Sequence, residues 1–208
     1  MADDIRLFVV GPIETNCYAY ISEGSCMVVD PGASGAAIAR ELADTCVETI
    51  VCTHGHGDHV GGVAELKAAT GAVYLIHPAD DAMARRAGDK SLLGISLGDD
   101  APEPDGLLAE GMGIAVGSAV FTVVETPGHT PGSVCLVGSG SAEGIVFTGD
   151  TLFAGSRGRT DLDGGDDGLI AASLARLKRE IAPECAILPG HGGTSTMVRE
   201  LASNPYLR

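Results

Sequence analysis

Residues 53–62 read THGHGDHVGG. Positions 54–59 hold three histidines and an aspartate, in a chain of 208 residues that has 6 histidines in all. The preceding run, TIVCT at 49–53, is β-branched and apolar and predicts a strand, with a helix beginning near 59. His54 and His56 therefore fall in a loop at the carboxyl end of a strand, a common place for a binding site. In an extended tripeptide, residues i and i+2 point to the same side, so the two imidazoles can converge on one ion. Asp58 and His59 open the helix and can reach a second position close by. Gly55 and Gly57 let the backbone turn sharply without crowding the site. Imidazole nitrogen with carboxylate oxygen suits zinc, with iron and manganese as competitors. Asp58 as a helix N-cap beside polar loop histidines would account for one histidine, but not for three at this spacing.

Two adjacent ions need further donors, and the rest of the chain offers three. His129 lies in ETPGHTPGS (125–133) after the run AVFTVVE; Asp150 ends IVFTGD (145–150); His191 lies in AILPGHG (186–192). Each stands at the carboxyl end of an apolar run beside glycine. Any one of them alone reads as a turn residue, but together they repeat the grammar of the first cluster. His77, in LIHPAD, also ends a strand and is read as a loop or rim residue.

The composition limits the alternatives. Lys plus Arg number 13 against 28 Asp plus Glu, a formal charge of −15. An acidic surface repels phosphate backbones, and no basic patch offsets it, so a nucleic-acid partner is not expected. MADDIRLFVV at the start lacks the basic and apolar regions of a signal peptide, and no apolar run is long enough to span a membrane. The 6 cysteines are scattered without a C-x-x-C and mostly lie in apolar runs, which reads as buried free thiols in a reducing, cytoplasmic setting.

Short β-branched runs bounded by Gly, Pro and Asp predict strands at 5–10, 17–22, 26–30, 49–53, 72–76, 113–116, 119–125, 133–138, 144–149 and 185–190. Helices are expected at 35–45, 59–70, 78–87, 167–181 and 194–203. In the fourth, Ile170, Leu174, Leu177 and Ile181 form one apolar stripe. Strands followed by helices in each half favour a two-sheet core flanked by helices, in a single domain over 1–208. LGDDAPEPDG (97–106) reads as a loop; with 80–96 it either covers the site or crosses the surface.

With THGHGDH, PGHTPGS, TGD and PGHG in that order across 53–192, the sequence resembles the metallo-β-lactamase superfamily. GPIETNCYAYI (11–21) and VVDPG (28–32) are similar to that family's N-terminal strands. The resemblance implies an α+β fold, the four-layer αββα sandwich, with metals at one edge between the sheets. GDTLFAGSRGRTDLDGGD (149–166) narrows it to the glyoxalase II-like branch, with an aspartate rather than a cysteine at 150. By that resemblance one ion takes His54, His56 and His129, the other Asp58, His59 and His191, and Asp150 bridges them. Two ions about 3.5–4 Å apart can share a water and bring its pKa towards about 7. The hydroxide would attack a polarised thioester carbonyl, with the metals stabilising the oxyanion and Asp58 accepting a hydrogen bond from the nucleophile.

After His191 only 17 residues follow, so the resemblance is to single-domain members without the glutathione-binding helical domain of full-length glyoxalase II. The expected activity is hydrolysis of small thioesters like S-lactoylglutathione by two divalent ions, Zn2+ foremost with Fe or Mn possible, in a monomer or homodimer. Arg157 is the residue expected to contact substrate, while Arg159 and Asp161 read as a loop tie and Asp30 as structural support. The rival from a different class is a mononuclear iron persulfide dioxygenase, which shares the histidine motif but leaves one site empty. PGHGGTST (189–196) looks like the hydrolase version. A third reading, an idle binding module, gives no reason for seven intact ligands.

Overall fold

The computed structural model describes residues 3–89, 91–92 and 95–208, with the side chains of 91–92 and 95–96 left aside. The first half of the chain runs β1 (Asp4–Val10), β2 (Thr15–Ser22), β3 (Ser25–Val29), α1 (Gly35–Glu41), β4 (Cys46–Val51), α2 (Gly57–Val60), α3 (Val63–Thr70), β5 (Val73–Ile76) and α4 (Pro78–Ala84). A hairpin of β6 (Ser91–Leu92) and β7 (Ile95–Ser96) and then β8 (Gly106–Leu107) follow. The second half runs β9 (Gly113–Val116), β10 (Ala119–Glu125), β11 (Val134–Gly140), β12 (Ile145–Gly149), the β13 (Leu152–Phe153)–β14 (Ser156–Arg157) hairpin, α5 (Asp167–Glu180), β15 (Ala186–Pro189), β16 (Ser195–Thr196) and α6 (Met197–Ser203).

Two six-stranded mixed sheets result, ordered β1-β2-β3-β4-β5-β8 and β16-β15-β12-β11-β10-β9. The period-2 alternation of each strand supplies three apolar layers. On β2, Tyr18 and Tyr20 face the second sheet, whereas Cys17, Ala19 and Ile21 face the helices. Between the sheets Tyr20 meets Phe121 edge-on with ring centroids 4.8 Å apart. Ile38, Val63 and Leu66 of α1 and α3 cover the outer face of the first sheet. The stripe Ile170, Leu174, Leu177 and Ile181 is buried against the outer face of the second. The expected four-layer αββα sandwich is therefore the observed fold; the ten predicted strands are found to within a few residues, and six two-residue strands, β6, β7, β8, β13, β14 and β16, fall outside the predicted runs.

The differences have local causes. The helix expected at 59–70 breaks into α2 and α3 at Gly61–Gly62, where the Gly62 amide donates to Pro31 O at 2.7 Å. A side chain at Gly62 would stand 2.6 Å from that carbonyl. The helix expected from 194 loses its first turn to β16, which pairs with β15. Cys46 is exposed while the other five cysteines are buried. Among the described residues no helix is long and apolar enough to cross a membrane.

Gly32, after β3, shows how tightly the sheets meet the histidine loop. A Cβ there would lie 1.5 Å from the backbone oxygen of Asp58. Gly32→Ala must push α2 away, and overpacking of this kind costs about 2–3 kcal/mol. The expected result is a lower urea midpoint at unchanged m-value, with weaker metal retention by dialysis.

Candidate metal centre

His54 follows β4, His129 follows β10, Asp150 follows β12 and His191 follows β15, so strand ends of both sheets deliver donors to one edge of the sandwich. Asp58 and His59 arrive on α2, and His56 precedes it. Seven side chains that the sequence scatters over 138 positions thus meet. His54, His56 and His129 form one group of ring nitrogens, and Asp58, His59 and His191 form another. His56 Nδ1 and His129 Nε2 stand 3.0 Å apart. His191 Nε2 is 3.1 Å and His59 Nε2 3.2 Å from Asp58 Oδ2. The Asp150 carboxylate lies between the groups, Oδ1 at 3.4 Å from His59 Nε2 and Oδ2 at 3.4 Å from His129 Nε2.

The surroundings aim these atoms inward. His129 Nδ1 donates to Arg159 O at 2.7 Å, which leaves Nε2 as a bare lone pair. His59 Nδ1 sits 2.9 Å from Asp30 Oδ2. Asp30 also accepts from the Thr53 amide and hydroxyl, both at 2.7 Å, so it supports β4 and the centre together. Thr53 Oγ1 is in turn 3.2 Å from His54 Nδ1. Thr15 donates to Asp58 Oδ2 at 2.9 Å. Gly190 lets the backbone come close to the Asp150 carboxylate, because a Cβ there would lie 2.3 Å from Oδ1.

The residues fit a cation. His54 Nε2 and Asp150 Oδ1 are buried without a hydrogen-bond partner, a costly state unless an ion completes them. Burial, then the neighbouring imidazoles, hold His54 well below the usual histidine pKa and bring His56 down to about 3. Neutral rings with lone pairs are what a metal requires. Around His59 the field reverses. Burial opposes its charge, but Asp58, Asp150 and Asp30 outweigh burial and raise its pKa. Asp58 is held low against burial by His59 and by hydrogen bonds from His191 and His59. That half of the site therefore demands positive charge.

The centre forms the floor of a cleft of about 820 Å³, a volume suited to a small molecule. Ala82, Met83, Ala87 and Leu97, which fall within the expected covering segment 80–106, line one wall of it. Phe153, Arg157 and Arg159 also line it. Arg157 donates to Asp167 at 2.7 Å and lies 4.9 Å from the centre of the Tyr206 ring. Arg159 pairs with Asp161 at 2.6 Å, an exposed pair two residues apart within one loop. His77 lies away from the centre, as the N-cap of α4, accepting from the Ala79 amide and standing 3.1 Å from Glu125 Oε1.

Asp80 is the residue that sequence reasoning missed. It is fully buried on α4 and accepts from the Gly55 amide, the Thr130 hydroxyl and the Gly132 amide at 2.8, 2.6 and 2.7 Å. It thereby clasps the loop of His54 and His56 to the loop of His129. Its context, Pro78 followed by acids, reads as an ordinary helix start.

A family model described as Metallo-beta-lactamase superfamily matches residues 10–192. An uncharacterized protein of Aquifex aeolicus (strain VF5) is 37% identical over 97% of this chain and 96% of its own. A probable metallo-hydrolase, YqgX, of Bacillus subtilis (strain 168) is 32% identical with the same two coverages, 97% and 96%. A hydroxyacylglutathione hydrolase, GloC, of Haemophilus influenzae (strain ATCC 51907 / DSM 11121 / KW20 / Rd) is 28% identical over 98% of each chain. Among solved structures, the BLEG-1 B3 metallo-beta-lactamase superposes with a TM-score of 0.89 at 30% identity, covering 98% of this chain and 99% of its own. TTHA1623 in a di-iron-bound form does so with 0.86 at 33% identity, covering 97% and 100%.

Proposed function

This chain belongs to the metallo-beta-lactamase superfamily, whose members are mostly hydrolases, and from that premise we propose that it hydrolyses small thioesters of the S-lactoylglutathione kind with two bound divalent ions. The observation that carries the reading is the pair of complete donor groups with Asp150 between them. His54, His56 and His129 would hold one ion, and Asp58, His59 and His191 the other. Zinc is the first choice on donor chemistry; the di-iron form of TTHA1623 keeps iron in view, and manganese is the third candidate. Two such ions supply Lewis acidity and a nucleophile at neutral pH.

The chain's own groups do the rest. Asp58, held as a carboxylate and oriented by the Thr15 hydroxyl, would take a hydrogen bond from the attacking water. The apolar wall of Met83, Ala87 and Leu97 shields the reacting carbonyl from bulk water, which strengthens every polar interaction on the floor. A thiolate leaves without a general acid, so the histidines are free to serve as ligands. The thioester, rather than another acyl substrate, rests on the likeness to the Haemophilus relative over the full chain.

Elemental analysis of protein purified without added metal, with assays of S-lactoylglutathione and a chromogenic β-lactam on the same sample, tests the proposal. The expected result is about two ions per chain and thioester cleavage with the lactam untouched. One iron per chain with oxygen uptake on glutathione persulfide would replace it with the dioxygenase reading. Lactam turnover without thioester cleavage would replace it with a lactamase.

A further inference from the structure

Ala82, Met83, Arg86 and Ala87 line the cleft at positions i, i+1, i+4 and i+5 of α4 and the turn after it. This face is apolar except for one guanidinium. Three of the chain's 13 Lys plus Arg line the same cleft, in a protein of formal charge −15. Two of the three are already engaged: Arg157 with Asp167, and Arg159 with Asp161. Arg86 is exposed and has no carboxylate within ion-pair distance among the described residues. A cation facing a cleft without a protein counter-ion is available to a ligand's anion. An otherwise acidic molecule needs such a group to admit a negatively charged substrate.

We infer that Arg86 makes the cleft selective for substrates that carry a carboxylate remote from the scissile bond, joined to it by an apolar or weakly polar stem lying along Met83, Ala87 and Leu97. The guanidinium offers a planar fork that matches a carboxylate bidentately. Because the contact lies away from the reacting carbonyl, it acts in ground and transition states alike, and it appears in KM rather than kcat. The reaction half of this inference rests on the thioester reading; the binding half does not.

The test uses the metal-loaded protein and two lactoyl thioesters, one of glutathione, which bears carboxylates, and one of N-acetylcysteamine, which is neutral. Arg86→Ala is expected to raise KM for the first about tenfold, the worth of one charge-assisted contact, with kcat and the neutral thioester unchanged. Arg86→Lys should restore part of the loss. Calorimetry with S-hexylglutathione, an unreactive thioether, should show a matching loss of affinity in Arg86→Ala that added salt reduces. Equal effects on both thioesters, or thioether binding that is absent or indifferent to Arg86, would overturn the inference while leaving thioester hydrolysis intact. Thioether binding that depends on Arg86, with neither thioester cleaved, would instead overturn the proposed reaction and leave the anion site standing.

Discussion

Asp150→Ala is expected to lower thioester turnover by at least about a thousandfold, the scale set by removing charge stabilisation from an active site, and to drop the bound metal from about two ions per chain to one or fewer. Asp150 sits between the two donor groups, 3.4 Å from His59 on one side and 3.4 Å from His129 on the other. Among the described residues no other carboxylate spans both. Asp58 contacts only the second group, through His59 and His191. Removing Asp150 also leaves the cations facing a floor one negative charge poorer, so their mutual repulsion rises. Asp150→Ala should nevertheless fold. The carboxylate ties no secondary structure together, and its Oδ1 has no hydrogen-bond partner to lose. Elemental analysis read beside circular dichroism separates the cases. Retention of two ions with full activity would mean that Asp150 does not bridge. Loss of native dichroism would mean that the residue is structural.

The legible parts of this molecule are those whose signal is local. Strands such as 119–125 announce themselves as short β-branched, apolar runs, with Ala119, Phe121 and Val123 facing the core between the sheets and Val124 packed on the outer face. The helix 167–180 is legible because Ile170, Leu174 and Leu177 share one face and Asp166 caps it, accepting from the Leu169 amide at 2.8 Å. The histidine cluster is legible because three histidines and an aspartate crowd into six residues; the distant partners are legible from their places beside glycine at the ends of apolar runs, and the family resemblance allotted them to the two ions. Asp80 was not legible. Its partners lie 25, 50 and 52 residues away, and a buried acid in the first turn of a helix looks like any helix start. Glu200 hides in the same way: it is fully buried, accepts from the Gly155 amide and holds the β13–β14 hairpin against α6. The hairpin itself, two residues per strand, is too short to show a period. The break at Gly61–Gly62 was missed because helical periodicity runs on across it; the approach of Pro31 O requires a glycine at 62, and the approach of Gly98 Cα and Gly32 O requires one at 61.

Asp80→Ala is expected to be the most damaging substitution for stability outside the donor set, costing about 4 kcal/mol from several buried donors left unpaired at about 1–3 kcal/mol each, with partial relaxation. The donors are the Gly55 and Gly132 amides and the Thr130 hydroxyl, all buried. Thr130 can fall back on Ser133 Oγ at 2.7 Å, so its loss is softened; the two amides have no such alternative among the described residues. Gly55 stands between His54 and His56, and Gly132 is three residues past His129. The loops freed by the substitution thus carry the whole first donor group, and metal affinity should fall together with stability. Asp80→Asn makes the distinction between a charge effect and a hydrogen-bond effect. An amide in place of the carboxylate presents one acceptor oxygen, so it can keep some donors but sets its own N–H groups against the rest. It should sit between wild type and Asp80→Ala. Urea unfolding of apo and metal-loaded protein measures both consequences. The gap between Asp80→Ala and wild type should widen when metal is present, because wild type alone gains the full binding energy of its preformed first group. A gap that is the same with and without metal would show Asp80 as a staple of the fold with no part in shaping the centre.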